Sequence, residues 1–333
     1  MQIVIGLLTA PDGDPVAVRV FEGNTADPTT CLDQIKILAD KLGVKNVTLV
    51  GDRGMIKSCQ IKELQAREFH YITAVTKPQI ESLVKTGVIQ LDLFDEEITE
   101  VSDGEVRYIL RRNPLRAKEI AKSHPDKYRA FRAKVEAAND DLKEHPKASA
   151  DIQLRDLTAY AAKRKILTWL KLALDGRRVD VSQDEELLAS EAKLDGCYVI
   201  KTDLPADVAD AETVHARYKD LTKVENAFRT MKTECLEVRP VYVRKENRTR
   251  GHVFITMLAY KVIWEIERCL PDRKDIPIGE TIAKLSRIGL TRVELGEHRL
   301  YRVQTPDLAN RKLLKQLSVV IPKCIPGFGM EVL

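Results

Sequence analysis

A chain of 333 residues is long enough for one large domain or two ordinary ones with a sizeable core, and 44% apolar with 31% charged residues describes a soluble globular protein. A net charge of +4 is too small to argue for nucleic acid by itself, so any such case rests on where the charge sits. Six scattered cysteines (Cys31, Cys59, Cys197, Cys235, Cys269, Cys324), with no C-x-x-C pair, argue against a zinc site or disulfide framework and fit reduced thiols in a cytosol.

Residues 2 to 9 read as a buried strand, and the start of the chain lacks the basic segment and cleavage pattern of a signal peptide. Pro11-Asp-Gly-Asp-Pro15 reads as a tight turn, with Val16 to Phe21 as the hairpin partner. After the polar loop Glu22–Asp27, Pro28-Thr-Thr opens a helix through Leu32, Ile35, Leu38 and Leu42, closed by Gly43. Val47–Val50 is a short buried strand ending in Gly51-Asp52-Arg53-Gly54. A helix over 59–68 and a strand over Tyr71–Val75 follow, which makes a mixed α/β layer pattern.

From 84 to 192 the character changes, and this block reads as an insertion. It opens with a strand pair over Ile98–Leu110, turning at Asp103-Gly104. A strongly basic run from Arg107 to Lys134 overlaps and follows it, and helices are expected near 125–143 and 157–173. The basic run suits either DNA or the outer face of an insertion. An Asp195-Gly196 turn then leads to a strand over Cys197–Thr202, one helix over 213–233, and an apolar helix over 251–269. That last helix carries Lys261 and Glu265 and its apolar window is too short to span a bilayer. The tail from 270 holds a hairpin around Gly296 and a helix near 307–317. Trp169, Leu170 and Trp264 read as core.

The helix over 213–233 carries two stripes. Leu221, Val224, Phe228 and Met231 form an apolar face, while Tyr218, Glu225, Arg229 and Lys232 recur at spacings of four and seven residues beside it. A carboxylate flanked by a phenol and two cations suits phosphodiester chemistry, the acid holding a metal and the cations taking up phosphate charge; a solvated salt-bridge face is the alternative. Asp52 stands at a strand end, where open α/β sheets present polar groups to a crevice; a turn with a local ion pair is the alternative there. Arg239, Arg244, Lys245, Arg248 and Arg250, with Tyr242 among them, suit DNA backbone contacts or a solvated loop. His252 reads as a capping or core histidine.

Taken together, Gly51-Asp52-Arg53-Gly54, then Tyr218, Glu225 and Lys232 at their spacing, then Val238–Val243 and Gly251-His252 resemble the IS4-type transposases of bacterial insertion sequences, within them the IS1634-like group. The resemblance covers nearly the whole chain. It implies a DDE recombinase with a ribonuclease H-like fold: a mixed sheet flanked by helices, with a largely β subdomain inserted between the second catalytic aspartate and the catalytic glutamate. On that pattern residues 1–83 are the first part of the core, 84–192 the insertion, 193–270 the second part with the glutamate helix, and 271–333 a C-terminal tail.

The resemblance makes Asp52 and Glu225 the second and third catalytic carboxylates, ligands to two Mg²⁺ or Mn²⁺ ions. It gives Tyr218, Arg229, Lys232, Arg239, Arg244, Arg248 and Arg250 to DNA phosphates. It also implies a homodimer on double-stranded DNA, holding element ends and target, with a nucleoid-associated place in the bacterial cytoplasm and no membrane. Where the pattern has an arginine three residues after the tyrosine, this chain has Leu221, and Arg229 takes the phosphate role. The pattern's first aspartate belongs to a central strand ahead of residue 2, and neither Asp12 nor Asp14, in the hairpin turn, replaces it. The expectation is therefore an N-terminally truncated transposase, inactive as written, with a DNA-binding or partner-binding remnant as the alternative.

Overall fold

The computed structural model describes residues 2–26, 30–31, 35, 47–232, 236–239, 241–270, 277–295, 298–321 and 331–332. The first half runs β1 (Ile3–Thr9), β2 (Pro15–Glu22), β3 (Thr48–Gly51), α1 (Ser58–Gln65), β4 (His70–Ala74), α2 (Lys77–Lys85), β5 (Thr99–Asp103), β6 (Val106–Arg112), α3 (Pro114–Glu144) and α4 (Ala150–Lys163). The second half runs β7 (Leu170–Asp175), β8 (Arg178–Gln183), α5 (Glu185–Ala192), β9 (Cys197–Thr202), α6 (Ala211–Lys219), α7 (Leu221–Lys232) and α8 (Glu246–Cys269). It ends with α9 (Ile278–Leu285), β10 (Leu290–Leu295), β11 (His298–Val303), α10 (Leu308–Gln316) and the short β12 (Glu331–Val332). Two compact units result: Ile35–Lys219, and Met1–Gln34 with Asp220–Leu333.

The first of these units is built on a mixed sheet of order β3-β4-β9-β6-β5, in which β3 and β4 are parallel and the other pairs antiparallel. Its strands are apolar on both sides because both faces are covered. Ile72, Ile109 and Ile200 cluster with Val214 of α6, while their sequence neighbours Leu110 and Val199 cluster with Ile80 and Phe94. The sheet takes strands from both sides of position 84, since β5 and β6 join it through β9. At the entry to β9, Gly196 has φ +75°, and a Cβ there would lie 2.5 Å from the Asn113 carbonyl oxygen. The turn therefore requires glycine on two counts.

Between β6 and β9 the chain forms α3, α4, the β7–β8 hairpin and α5, around a core of Phe131, Val135, Leu157, Ala161, Trp169 and Val179. This stretch is mostly helical, where the resemblance implies a largely β one. Helix α3 begins at Pro114, eleven residues ahead of the expected start near 125, because Asn113 caps it: the Asn113 side chain accepts from the backbone N–H groups of Leu115 and Arg116 at 3.1 Å each. The helix expected over 157–173 stops at Lys163, and Leu170–Asp175 is a strand. Lys165 adopts φ +55° and ends the helix. Beyond it, Leu170, Leu172 and Leu174 alternate with Lys171, Ala173 and Asp175, and Gly176 at φ +57° closes the hairpin. Asn139 of α3 reaches the hairpin, its side-chain amide exchanging two 2.8 Å hydrogen bonds with the Val179 backbone.

In the other unit the β1–β2 hairpin packs its apolar side chains Ile3, Ile5, Leu7, Val18 and Val20 against α7 and α8, through Ala227, Met231, Val253, Met257 and Tyr260. Its turn is held by α7 and α8. Lys223 Nζ donates to the Pro11 carbonyl at 2.8 Å, and Lys261 Nζ meets the Asp14 carboxylate at 2.5 and 2.7 Å. Of the expected apolar stripe, Met231 is buried while Leu221, Val224 and Phe228 are half-buried, and Ala227 fills the core position between them.

The single helix expected over 213–233 is two helices, broken at Asp220, and the break coincides with the boundary between the units. Asp220 starts α7 by holding Lys223, whose backbone N–H donates to the Asp220 carbonyl at 2.9 Å and whose Nζ lies 2.8 Å from its carboxylate. The helix expected over 28–43 lies outside the described residues except for Thr30, Cys31 and Ile35, all buried. Trp169 and Leu170 are core as expected, and Trp264 is half-buried.

Candidate active site

Asp52 is the first residue beyond β3, exposed at the end of the strand. A tight turn follows, in which the Arg53 backbone N–H donates to Asp52 Oδ1 at 2.7 Å and that of Met55 to the Asp52 carbonyl at 2.9 Å. The same Oδ1 accepts from the Tyr218 hydroxyl at 3.4 Å, a contact across 166 positions of sequence. Helix α6 makes it possible by lying over the β3, β4, β6 and β9 strands with Val214 in their core. Burial, reinforced by the Asp52 carboxylate, pushes the Tyr218 hydroxyl up to about 12, so it stays protonated and donates. Asp52 Oδ2 has no protein donor among the described residues and is open to a ligand.

One turn before Tyr218, His215 anchors the same helix. Its ring is 5% exposed and stacks on Tyr198 of β9 with centroids 5.8 Å apart. Its Nε2 lies 2.5 Å from the Tyr198 hydroxyl, and Arg111 Nη1 of β6 stands 3.3 Å from Nδ1. Burial, with the Arg111 and Lys219 cations nearby, lowers the imidazole to about 4, so the ring is neutral at pH 7. Arg111 Nη1 is nearly as close to Nε2, at 3.5 Å, so it faces the ring between its two nitrogens, and the short Tyr198 contact suits either tautomer, the hydroxyl being both donor and acceptor. His215 and Tyr198 were not singled out by sequence reasoning, and Arg111 entered only as part of the basic run. The usable signal was the i, i+3 spacing of His215 and Tyr218, which puts both on one helical face.

Arg107 fixes the segment that leads into α6. Buried to 6% exposure, it donates to both Glu100 carboxylate oxygens at 2.7 Å each and to the carbonyls of Leu204 and Ala209 at 2.6 and 2.9 Å. Part of the basic run is thus structural. On α3, Arg116, Arg129 and Arg132 pair with Glu119, Asp126 and Glu136 on the helix surface.

In the other unit, Glu225 is exposed on α7 and carries no hydrogen bond or ion pair among the described residues, although Arg229 follows one turn later. Arg229 and Lys232 are also exposed, Lys232 with its ammonium 5.5 Å from the Phe228 ring centroid. Lys232, Arg239 and Arg244 line one groove of about 1020 Å³, together with Phe228, Val238, Val241, Val243 and the Gln2–Ile5 segment. None of its described lining residues is acidic, so the groove favours an anion with apolar parts. Arg248 is exposed without an ion pair among the described residues, and Arg250 pairs with Glu246 at 2.7 Å. Asp14 is committed to Lys261, and Asp12 Oδ1 accepts from the Asp14 backbone N–H at 3.1 Å.

The arrangement brings Asp52 and Tyr218 together in one unit and Lys232, Arg239 and Arg244 in the other. Among the described residues no three His, Cys, Asp or Glu side chains gather as a metal cluster, and no helix is long and apolar enough to cross a membrane. Compared with known families, residues 1–261 match the transposase DDE domain. No curated protein and no solved structure matches the chain.

Proposed function

The chain belongs to the transposase DDE domain family, and from that premise we propose that it is an IS4-type, IS1634-like insertion-sequence transposase with a ribonuclease H-like core. Transposases of this family move DNA segments by recombination and work with divalent metal ions. The observation that carries the finer reading is the Tyr218–Asp52 hydrogen bond, which joins two members of the sequence signature, one on α6 and one at the end of β3. Asp52 and Glu225 are proposed as metal ligands, Mg²⁺ or Mn²⁺, because each is an exposed carboxylate with an oxygen left open, the hard donor such ions take. Divalent ions held by these carboxylates would supply the positive charge that activates an attacking oxygen and stabilises a leaving one in in-line displacement at phosphorus.

The chain's own residues position and neutralise. Tyr218 orients Asp52 by donating to Oδ1, which leaves Oδ2 for the ion. Arg229, Lys232, Arg239 and Arg244 take up phosphate charge, and the groove of the last three receives the DNA strand. Strand cleavage at an element end, then attack of the freed 3′-hydroxyl on target DNA, needs two ends held together, which calls for a homodimer on double-stranded DNA.

The test is cleavage of labelled element-end DNA with Mg²⁺. Metal-independent DNA binding without nicking by the unaltered chain is the result expected while the pattern's first aspartate has no counterpart among these residues. Specific nicking that Asp52→Asn and Glu225→Gln each abolish, with DNA binding retained, would overturn that inactivity and leave an active transposase.

A further inference from the structure

Helix α8 buries one face, through Val253, Thr256, Met257, Tyr260 and Ile263, against its own unit. Its opposite face is apolar and open: Ile255, Leu258 and Val262 are 66%, 43% and 61% exposed. These three belong to a longer line, Arg248, Gly251, Ile255, Leu258, Val262 and Glu265, spaced 3-4-3-4-3, the spacing of a helix-pairing seam. Over its length the seam spans roughly 26 Å at 1.5 Å per residue. We propose that this face pairs with the same face of a second copy of the chain, antiparallel about a two-fold axis.

The occupant follows from the symmetry of the line. Turned end for end about a point between Thr256 and Met257, it maps onto itself: Ile255 meets Leu258, Gly251 meets Val262, and Arg248 meets Glu265. Valine thus meets glycine and cation meets anion, and the charged pair forms twice in a two-fold dimer. A parallel pairing would set Arg248 on Arg248 and Glu265 on Glu265 and leave the Gly251 gap unfilled. Two local facts agree. Gly251 sits within a helix, where glycine is costly, and a Cβ there would meet nothing within 4 Å of its own chain, so the space it leaves is on the outside. Arg248 is exposed with no ion pair among the described residues, while the partners of Glu265, Arg268 and the Cys269 thiol, belong to its own helix. One helix pair is smaller than a standard interface, so the dissociation constant lies in the micromolar range, roughly 1–100 µM.

This surface deepens the dimer of the proposed function, yet its test uses no DNA, so either can fail alone. The full chain is measured by sedimentation velocity over a concentration series, with circular dichroism to check folding. Expected are a monomer–dimer equilibrium, its loss in folded Ile255→Glu and Val262→Glu, and weakening by about tenfold in Arg248→Glu or Glu265→Arg alone. The double variant Arg248→Glu/Glu265→Arg restores association. A monomer throughout the range to about 100 µM, association unaffected by the apolar substitutions, or a double variant no better than either single one overturns the seam.

Discussion

Replacing Arg107 with methionine removes a guanidinium that makes four hydrogen bonds from a buried position. Methionine fills much of the same volume, so the loss is electrostatic rather than a cavity. Breaking a buried ion pair by deleting one partner costs about 3–5 kcal/mol. Glu100 keeps 27% of its side chain exposed and regains water, which favours the lower end. The Leu204 and Ala209 carbonyls lose their donor in a buried setting, so the cost does not fall to zero.

For a unit of this size about 3 kcal/mol corresponds to a fall in melting temperature of roughly 6–12 °C. Arg107→Lys keeps the charge but lacks the planar fork, and recovers less than half of the loss. The assay is thermal unfolding by circular dichroism, with hydrogen exchange over residues 203–210 as a local readout, since those backbone groups lead into the helix that carries Tyr218. A melting temperature unchanged in Arg107→Met, or protection over 203–210 unchanged, would refute the account.

His215 carries a pH prediction. Its folded-state imidazole sits near 4, below the unfolded value of about 6.5. The unfolded chain therefore binds a proton first as pH falls, and stability is lost between pH 6.5 and 4. Unfolding in denaturant at pH 7 and pH 4.5 should show a smaller acid loss in His215→Gln than in the unaltered chain, by on the order of 1–3 kcal/mol; equal losses would contradict it. In the inserted segment, Asn139→Ala leaves the Val179 N–H and C=O without their partners and should cost about 2–3 kcal/mol, read from the fluorescence of buried Trp169 during unfolding. Asn139→Asp keeps the acceptor, sets a carboxylate against the Val179 carbonyl, and should cost at least as much.

The local elements were legible where the signal is local. Pro11-Asp-Gly-Asp-Pro15 between two apolar runs gives the β1–β2 hairpin, and the Asp195-Gly196 turn before an apolar run gives β9. The Asp103-Gly104 turn does the same for β5 and β6. What failed depends on contacts far along the chain or on weak breaks. Nothing at Asp220 reads as a helix breaker, since an aspartate there is compatible with continuing a helix; the break shows only in the folded chain, where Lys223 closes on it. Leu170-Lys-Leu-Ala-Leu-Asp175 fits strand and helix periods alike, and the choice falls to the pairing with Arg178–Gln183. The place of Asp52 at a strand end was legible, but the sequence set Tyr218 in one helical stripe with Glu225, whereas the structure puts them on separate helices and bonds Tyr218 to Asp52. That hydrogen bond, and the His215–Tyr198–Arg111 support behind it, needed β3, β6, β9 and α6 assembled.

Strand β1 has one further consequence. It pairs with β2 alone among the described residues, and its sequence, Ile-Val-Ile-Gly-Leu-Leu-Thr, holds no charge and no proline over seven residues. An uncharged open edge of that length is a template on which another extended chain can add, and natural proteins usually blunt such edges with lysine, proline or a bulge. The one irregularity here falls at Leu8/Thr9, at the far end of the strand. By that reasoning a lysine at Val4 or Gly6, which alternate with the core-packed Ile3, Ile5 and Leu7, should raise the concentration at which the chain stays in solution, as measured by light scattering.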